Sequence, residues 1–235
     1  MLNRCPTRYA LTLVGLLVSV PAVAQQASCP RIEPIDLSSL LLPPPCDSCE
    51  ITKAELTELQ ALQKARTPEM ARHASDDYTR TLERFLAGMN ISVESDRLGD
   101  AEPLFKCIAK TTEDTVDKAR MQFHRTRPYN LPDNRLEVLK EITANDLPSF
   151  PSDHSAFGTV TGMVLMQMVP ELRDRIAARI EDFGLSRLIS GVHYRSDVYA
   201  GEVAGAAIAA SLFANSDFRA RFEKAEPQLR EALGY

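Results

Sequence analysis

The strongest constraint on the fold is a recurrence. Apolar residues spaced three and four apart are repeatedly broken by helix start and stop signals, and few segments alternate as strands do. Thr52 and Glu55 form a capping-box pattern ahead of Leu56, Leu59 and Leu62, and Thr67-Pro68-Glu69 places a proline at a first helical position. That second run carries Met70, Tyr78, Leu82 and Leu86 before Gly88. Asp100 opens a long run through Leu104, Ile108, Val116 and Met121 towards Arg127-Pro128. Apolar spacing resumes after His154 and stops at Pro170; further helices are expected over 171–189, 196–214 and 217–233. This pattern predicts an all-α fold, a single helical-bundle domain of about seven helices over 51–235. Residues 25–50, with Pro43-Pro44-Pro45, are expected to form an extended N-terminal arm.

Residues 1–24 have the pattern of a signal peptide: Arg4 and Arg8, an apolar run from Ala10 to Val20, then Ala22-Val23-Ala24. A periplasmic or secreted location is therefore expected, with no stable membrane span in the mature chain, its other uncharged apolar runs being short. Cys29, Cys46, Cys49 and Cys107 remain, an even number suited to structural disulfides, with three pairings open. The Cys46-x-x-Cys49 pair also has redox or zinc spacing, but no second paired motif accompanies it. The net charge of −5 and the lack of a dense basic run argue against nucleic acid as a partner.

Three segments carry chemistry. In the first, Arg120 and Arg127 lie seven apart; on one helix they would share a face and could grip one anion, though solvated arginines are the plainer reading. In the second, Pro151-Ser152-Asp153-His154 precedes an apolar helix. Its plain reading is an N-cap, yet a helix start also suits phosphate, and His154 would stand there as a proton donor or acceptor. In the third, Ser186, Arg187, His193 and Asp197 follow in order, and a carboxylate four residues on can fix the tautomer of an imidazole. Two of the chain's four histidines thus fall at reactive positions, while His73, in a polar helical stretch, reads as solvent-exposed, and His124 lies near the site by spacing with nothing to assign it a role.

Read in order, these segments resemble the three-part signature of bacterial class A non-specific acid phosphatases, K-x6-R-P, then P-S-G-H, then S-R-x5-H-x3-D. The wider superfamily also holds lipid phosphate phosphatases and vanadium-dependent haloperoxidases. The third part is complete here, whereas Arg120 stands at the Lys position and Asp153 at the Gly position. The resemblance implies a secreted, broad-specificity phosphomonoesterase acting on small-molecule phosphate esters, without metal or other cofactor. It implies His193 as nucleophile, Asp197 as its orienting partner and His154 as acid and then base. Arg120, Arg127 and Arg187 would bind the phosphate oxygens, assisted by Ser152 and by backbone N–H groups near Asp153. The rival readings are a lipid-linked phosphate or diphosphate phosphatase, a vanadium haloperoxidase, and a non-catalytic anion-binding relative; a homo-oligomer is compatible with any of them. An inward carboxylate at 153 would repel a phosphate by on the order of 4 kcal/mol at ~4 Å, so Asp153 is expected to point away or to cap the following helix.

Overall fold

Two helices that are apolar on almost every side, Asp153–Met168 and Arg195–Ala214, can be stable in water only as the centre of a bundle, and they pack against each other there. The computed structural model describes residues 29–132, 136–139 and 147–235. The signal-peptide expectation at 1–24, and the first residues of the arm, lie outside them. Among the described residues there are nine α-helices and no strand: α1 Leu37–Leu40, α2 Glu50–Ala65, α3 Pro68–Asp76, α4 Leu82–Ala87, α5 Ala101–Phe123, α6 Asp153–Met168, α7 Arg173–Ile189, α8 Arg195–Ala214 and α9 Ser216–Leu233. The all-α expectation holds.

α6 is the hub, with α8, α7 and α5 around it. Its contact with α8 is close because Gly201 and Gly205 stand where a Cβ would come within 2.4 Å of the Ser152 carbonyl oxygen and 2.6 Å of the Ala156 carbonyl oxygen. Phe85, Phe157 and Phe183 fill the space between α4, α6 and α7, all fully buried. α8 is long and apolar enough to cross a membrane by length and composition, but half of that window is buried inside the fold.

Several local expectations change. Cys49, not Thr52, precedes the first residue of α2. Thr52 is inside the helix, its hydroxyl donating to the Cys46 carbonyl at 2.8 Å, and Glu55 turns inward. Thr67 does cap α3, ahead of Pro68. The run from Met70 to Leu86 is two helices, because Thr81 starts a new one with its own side-chain cap. The arm contains α1, capped by Asp36, and Leu37 and Leu41 join the core. Cys29 is bridged to Cys107 on α5, and Cys46 to Cys49.

Candidate active site

The site forms where the start of α6, the end of α7 and the start of α8 meet. Ser152 makes the junction. Its N–H donates to the Asp197 carbonyl at 2.9 Å, and its hydroxyl accepts from the Ser155 N–H at 3.2 Å, capping α6. The positive end of a sixteen-residue helix is thereby fixed beside the first turn of α8.

His193 lies just before α8 and is 1% exposed. Its Nδ1 is 3.3 Å from Asp197 Oδ2, and its Nε2 is 3.3 Å from Arg127 Nη1. A carboxylate can only accept and a guanidinium can only donate, so the ring carries its proton on Nδ1 and turns the Nε2 lone pair towards Arg127. Burial, reinforced by the charges of Arg127 and Arg120, pushes the imidazole down to about 3 against the pull of Asp197. The ring is therefore neutral, with a nucleophilic nitrogen beside a cation.

Asp197 is fully buried and accepts from three sides: His193, the Tyr194 N–H at 2.9 Å and Arg125 Nη1 at 2.6 Å. Burial alone would raise its carboxyl, but the His193 hydrogen bond and the Arg125 charge hold it below its ordinary value. Arg125 lies over the Tyr194 ring, 3.9 Å from its centroid, and also pairs with Glu55 at 2.9 Å. Sequence reasoning missed Arg125. The signal available was an Arg-Thr-Arg triplet in which only the last arginine had been singled out.

Arg120 and Arg127 do not share a helix face. α5 ends at Phe123, His124 turns left-handed with φ of 53°, and Arg127 extends into the following loop. Arg127 is anchored by the carbonyls of Leu147 and Val192, at 2.8 and 3.0 Å, with His193 beside it. Arg120 is committed elsewhere: to the Pro151 carbonyl at 3.0 Å, to Asp117 at 3.2 Å and to Asp153 at 2.6 Å. Asp153 does not cap α6, since Ser152 does so. Its other oxygen accepts from Arg80 Nη1 at 2.8 Å. Burial would raise the Asp153 carboxyl, yet Arg120, His154 and Arg80 together hold it well below the usual range. The two departures from the expected signature are thus one ion pair.

His154, in the first turn of α6, sits between Asp153 Oδ1 at 3.1 Å and the Tyr78 carbonyl oxygen at 3.0 Å. Burial and the Arg187 charge push it down to about 4, partly opposed by Asp153. Tyr78 and Arg80 come from the link between α3 and α4, which no sequence motif marked. That link is fixed by Asp77, fully buried, which accepts from Arg84 Nε at 2.7 Å, from Arg179 and from Ser186 Oγ at 2.6 Å. Ser186 of the third segment therefore ties α7 to the link, and its hydroxyl is spent on Asp77.

Arg187 differs from Arg125, which leaves its Nε unpaired but bonds through both Nη atoms. It is 4% exposed, yet its Nε and Nη1 have no hydrogen-bond partner. Burial brings its guanidinium down to about 10, while Asp153 and Arg127 act on it with opposite signs. Two desolvated N–H groups, on a guanidinium whose charge is felt by His154 in the first turn of α6, make a ready anion site.

Among the described residues one set of side chains, His73, Asp77 and Asp182, is close enough to hold a metal ion, within 4.8 Å. His73 is half-buried there, 2.8 Å from Asp182, rather than a free surface residue. Arg179 pairs with both carboxylates and Arg84 with Asp77, so arginines already supply the positive charge.

Residues 111–221, which contain all three segments, match the PAP2 superfamily. The chain is 30% identical over 147 residues to an acid phosphatase of Zymomonas mobilis, covering 62% of this chain and 55% of that protein. It is 30% identical over 136 residues to a non-specific acid phosphatase of Providencia stuartii, covering 55% and 54%. To a non-specific acid phosphatase of Salmonella typhimurium it is 36% identical over 116 residues, covering 49% and 45%. The chain thus spans about half the length of the curated relatives it matches. Its fold is similar to the crystal structure of a transmembrane PAP2-type phosphatidylglycerolphosphate phosphatase from Bacillus subtilis, with a TM-score of 0.50 at 17% identity over 80% of this chain and 91% of that one.

Proposed function

We propose, for a chain whose residues 111–221 carry a PAP2 superfamily domain, that the protein is a periplasmic or secreted phosphomonoesterase working through a phosphohistidine. The observation that carries this reading is a neutral, Asp-oriented His193 beside Arg127, together with a buried, unsatisfied guanidinium at Arg187 whose charge Arg127 feels. One supplies a nucleophile and the other a place for the charge that phosphoryl transfer spreads over the equatorial oxygens.

The phosphoryl group is held by Arg187, by Arg127 and by the N–H groups at the start of α6. His193 Nε2 attacks phosphorus as the bond to the leaving oxygen breaks, and Asp197 stabilises the imidazolium that forms. His154 gives its Nε2 proton to the departing alkoxide, then takes a proton from the water that cleaves the N–P bond. Arg120 acts behind Asp153 rather than on the phosphate. No metal is required in this scheme, because arginines and the helix dipole provide the positive charge. Small soluble phosphate esters are the expected substrates, at broad specificity.

Turnover of p-nitrophenyl phosphate should survive a chelator and be inhibited by vanadate. An alkaline quench followed by mass spectrometry of peptides should find the phosphoryl group on His193, and His193→Ala should abolish both turnover and label. Turnover lost to chelator and restored by zinc, or a label on another residue, contradicts the mechanism. A panel that adds phosphatidic acid and diphosphates decides between soluble and lipid-linked substrates.

A further inference from the structure

His154 is held between two groups of one kind. Asp153 Oδ1 and the Tyr78 carbonyl oxygen are both acceptors, at 3.1 and 3.0 Å from Nδ1 and Nε2. Both contacts are hydrogen bonds at once only when each ring nitrogen carries a proton. Asp153 itself cannot swing away, because Arg120 holds one of its oxygens at 2.6 Å and Arg80 the other at 2.8 Å.

We propose that Asp153 is a positioning residue for the proton donor, holding the Nδ1 proton of His154 so that Nε2 serves first as acid and then as base. The inference rests on the phosphohistidine reading above. When the leaving-group P–O bond breaks, its oxygen takes the Nε2 proton and the N–H electron pair returns to Nε2. The ring is then neutral with its remaining proton on Nδ1, donated to Asp153. The Nε2 lone pair is therefore in place to accept a proton from the attacking water. Without the carboxylate, the neutral ring keeps its proton on Nε2, bonded to Tyr78, and cannot act as that base.

The groups around His154 fit this assignment. From its own helix Asp153 favours the proton; from α7 Arg187 and from the α3–α4 link Arg80 oppose it, and the Phe183 ring packs on it at 6.5 Å between centroids. Arg120, from α5, reaches it only through Asp153. A bound phosphate offsets the Arg187 charge and joins Asp153 in favouring the imidazolium against burial and Arg80. The Tyr78 carbonyl holds the second proton until a substrate oxygen replaces it.

The test compares Asp153→Asn with the wild-type protein on two esters. p-Nitrophenoxide leaves without help, whereas a simple alkyl phosphate needs its leaving oxygen protonated. The variant should lose about 10- to 100-fold in kcat/KM, which reports the leaving-group step, on the alkyl ester and far less on p-nitrophenyl phosphate, while kcat on p-nitrophenyl phosphate falls because hydrolysis of the phosphohistidine loses its base. The alkaline limb of kcat/KM on the alkyl ester should move to lower pH. An equal loss of kcat/KM on both esters with an unmoved limb would overturn the proposal. If the variant fails to fold, nitrogen-15 NMR of the histidines in the wild-type protein decides: with inorganic phosphate bound, Nδ1 of His154 should be protonated, and a bare Nδ1 would sink the assignment. Failure of the phosphatase reading shows separately, as no wild-type turnover of either ester.

Discussion

Arg125 Nη1 lies 2.6 Å from Asp197 Oδ1, the carboxylate oxygen that His193 does not use. His193 is therefore oriented through a relay of buried charge, from Glu55 on α2 through Arg125 to Asp197 on α8, and the relay joins the first long helix to the site. Arg125→Met leaves two buried carboxylates without their cation. Removing one partner of a buried pair typically costs about 3–5 kcal/mol, so urea denaturation should show a loss of that size. Where the variant is still folded, kcat should fall on the order of 100-fold with little change in KM, because the imidazole is misaimed while the anion site is intact.

Arg187 should behave in the opposite way. Its unpartnered Nε and Nη1 make it a stability cost in the empty site. Arg187→Met should raise the unfolding free energy measured in urea by about 1–3 kcal/mol and at the same time abolish turnover. Phosphate or vanadate should stabilise the wild-type protein by mass action and this variant much less. A destabilised Arg187→Met would show that the guanidinium is paired in the resting protein.

The Cys29–Cys107 bridge closes a loop with a sequence separation of 78, tying the arm to α5 away from the site. Cys29→Ser with Cys107→Ser should lower stability by about 4 kcal/mol through the entropy returned to the unfolded chain. Activity per folded molecule should be unchanged at low temperature. Thermal melts of the two proteins without reductant, which leaves the Cys46–Cys49 bridge closed in both, provide the check.

The sequence carried the helices well because their apolar periodicity and local caps are properties of neighbouring residues. Thr67-Pro68 and the stop at Pro170 are of this kind. It carried the third segment for the same reason: His193 and Asp197 are four apart, and their contact spans one turn. What it could not carry were relationships set by packing. Asp77, Tyr78 and Arg80 reach the site on a link whose course depends on Ser186 and Arg179 of α7. Arg120 and Asp153 looked like two independent departures until the bundle placed them 2.6 Å apart. Arg127 left the helix because α5 stops at Phe123, and nothing in the local spacing announced a left-handed His124.

The last prediction concerns pH and follows from His193. Its ordinary value is 6.5, and burial, with Arg127 and Arg120 nearby, takes it to about 3 in the folded protein. Between those values the unfolded chain binds a proton here that the folded chain refuses. Stability must therefore fall as the pH drops below about 6.5, by up to about 1.4 kcal/mol per pH unit for this one group, and the slope vanishes above 6.5. Asp197, held below its ordinary carboxyl value, loses its contribution in the same direction at still lower pH. His193→Asn removes the titrating ring, so urea midpoints measured from pH 7 to pH 4 should decline less steeply in the variant, by about one proton's worth. An unchanged slope would mean that His193 takes up its proton in the folded state, and a protonated His193 cannot be the nucleophile at acid pH.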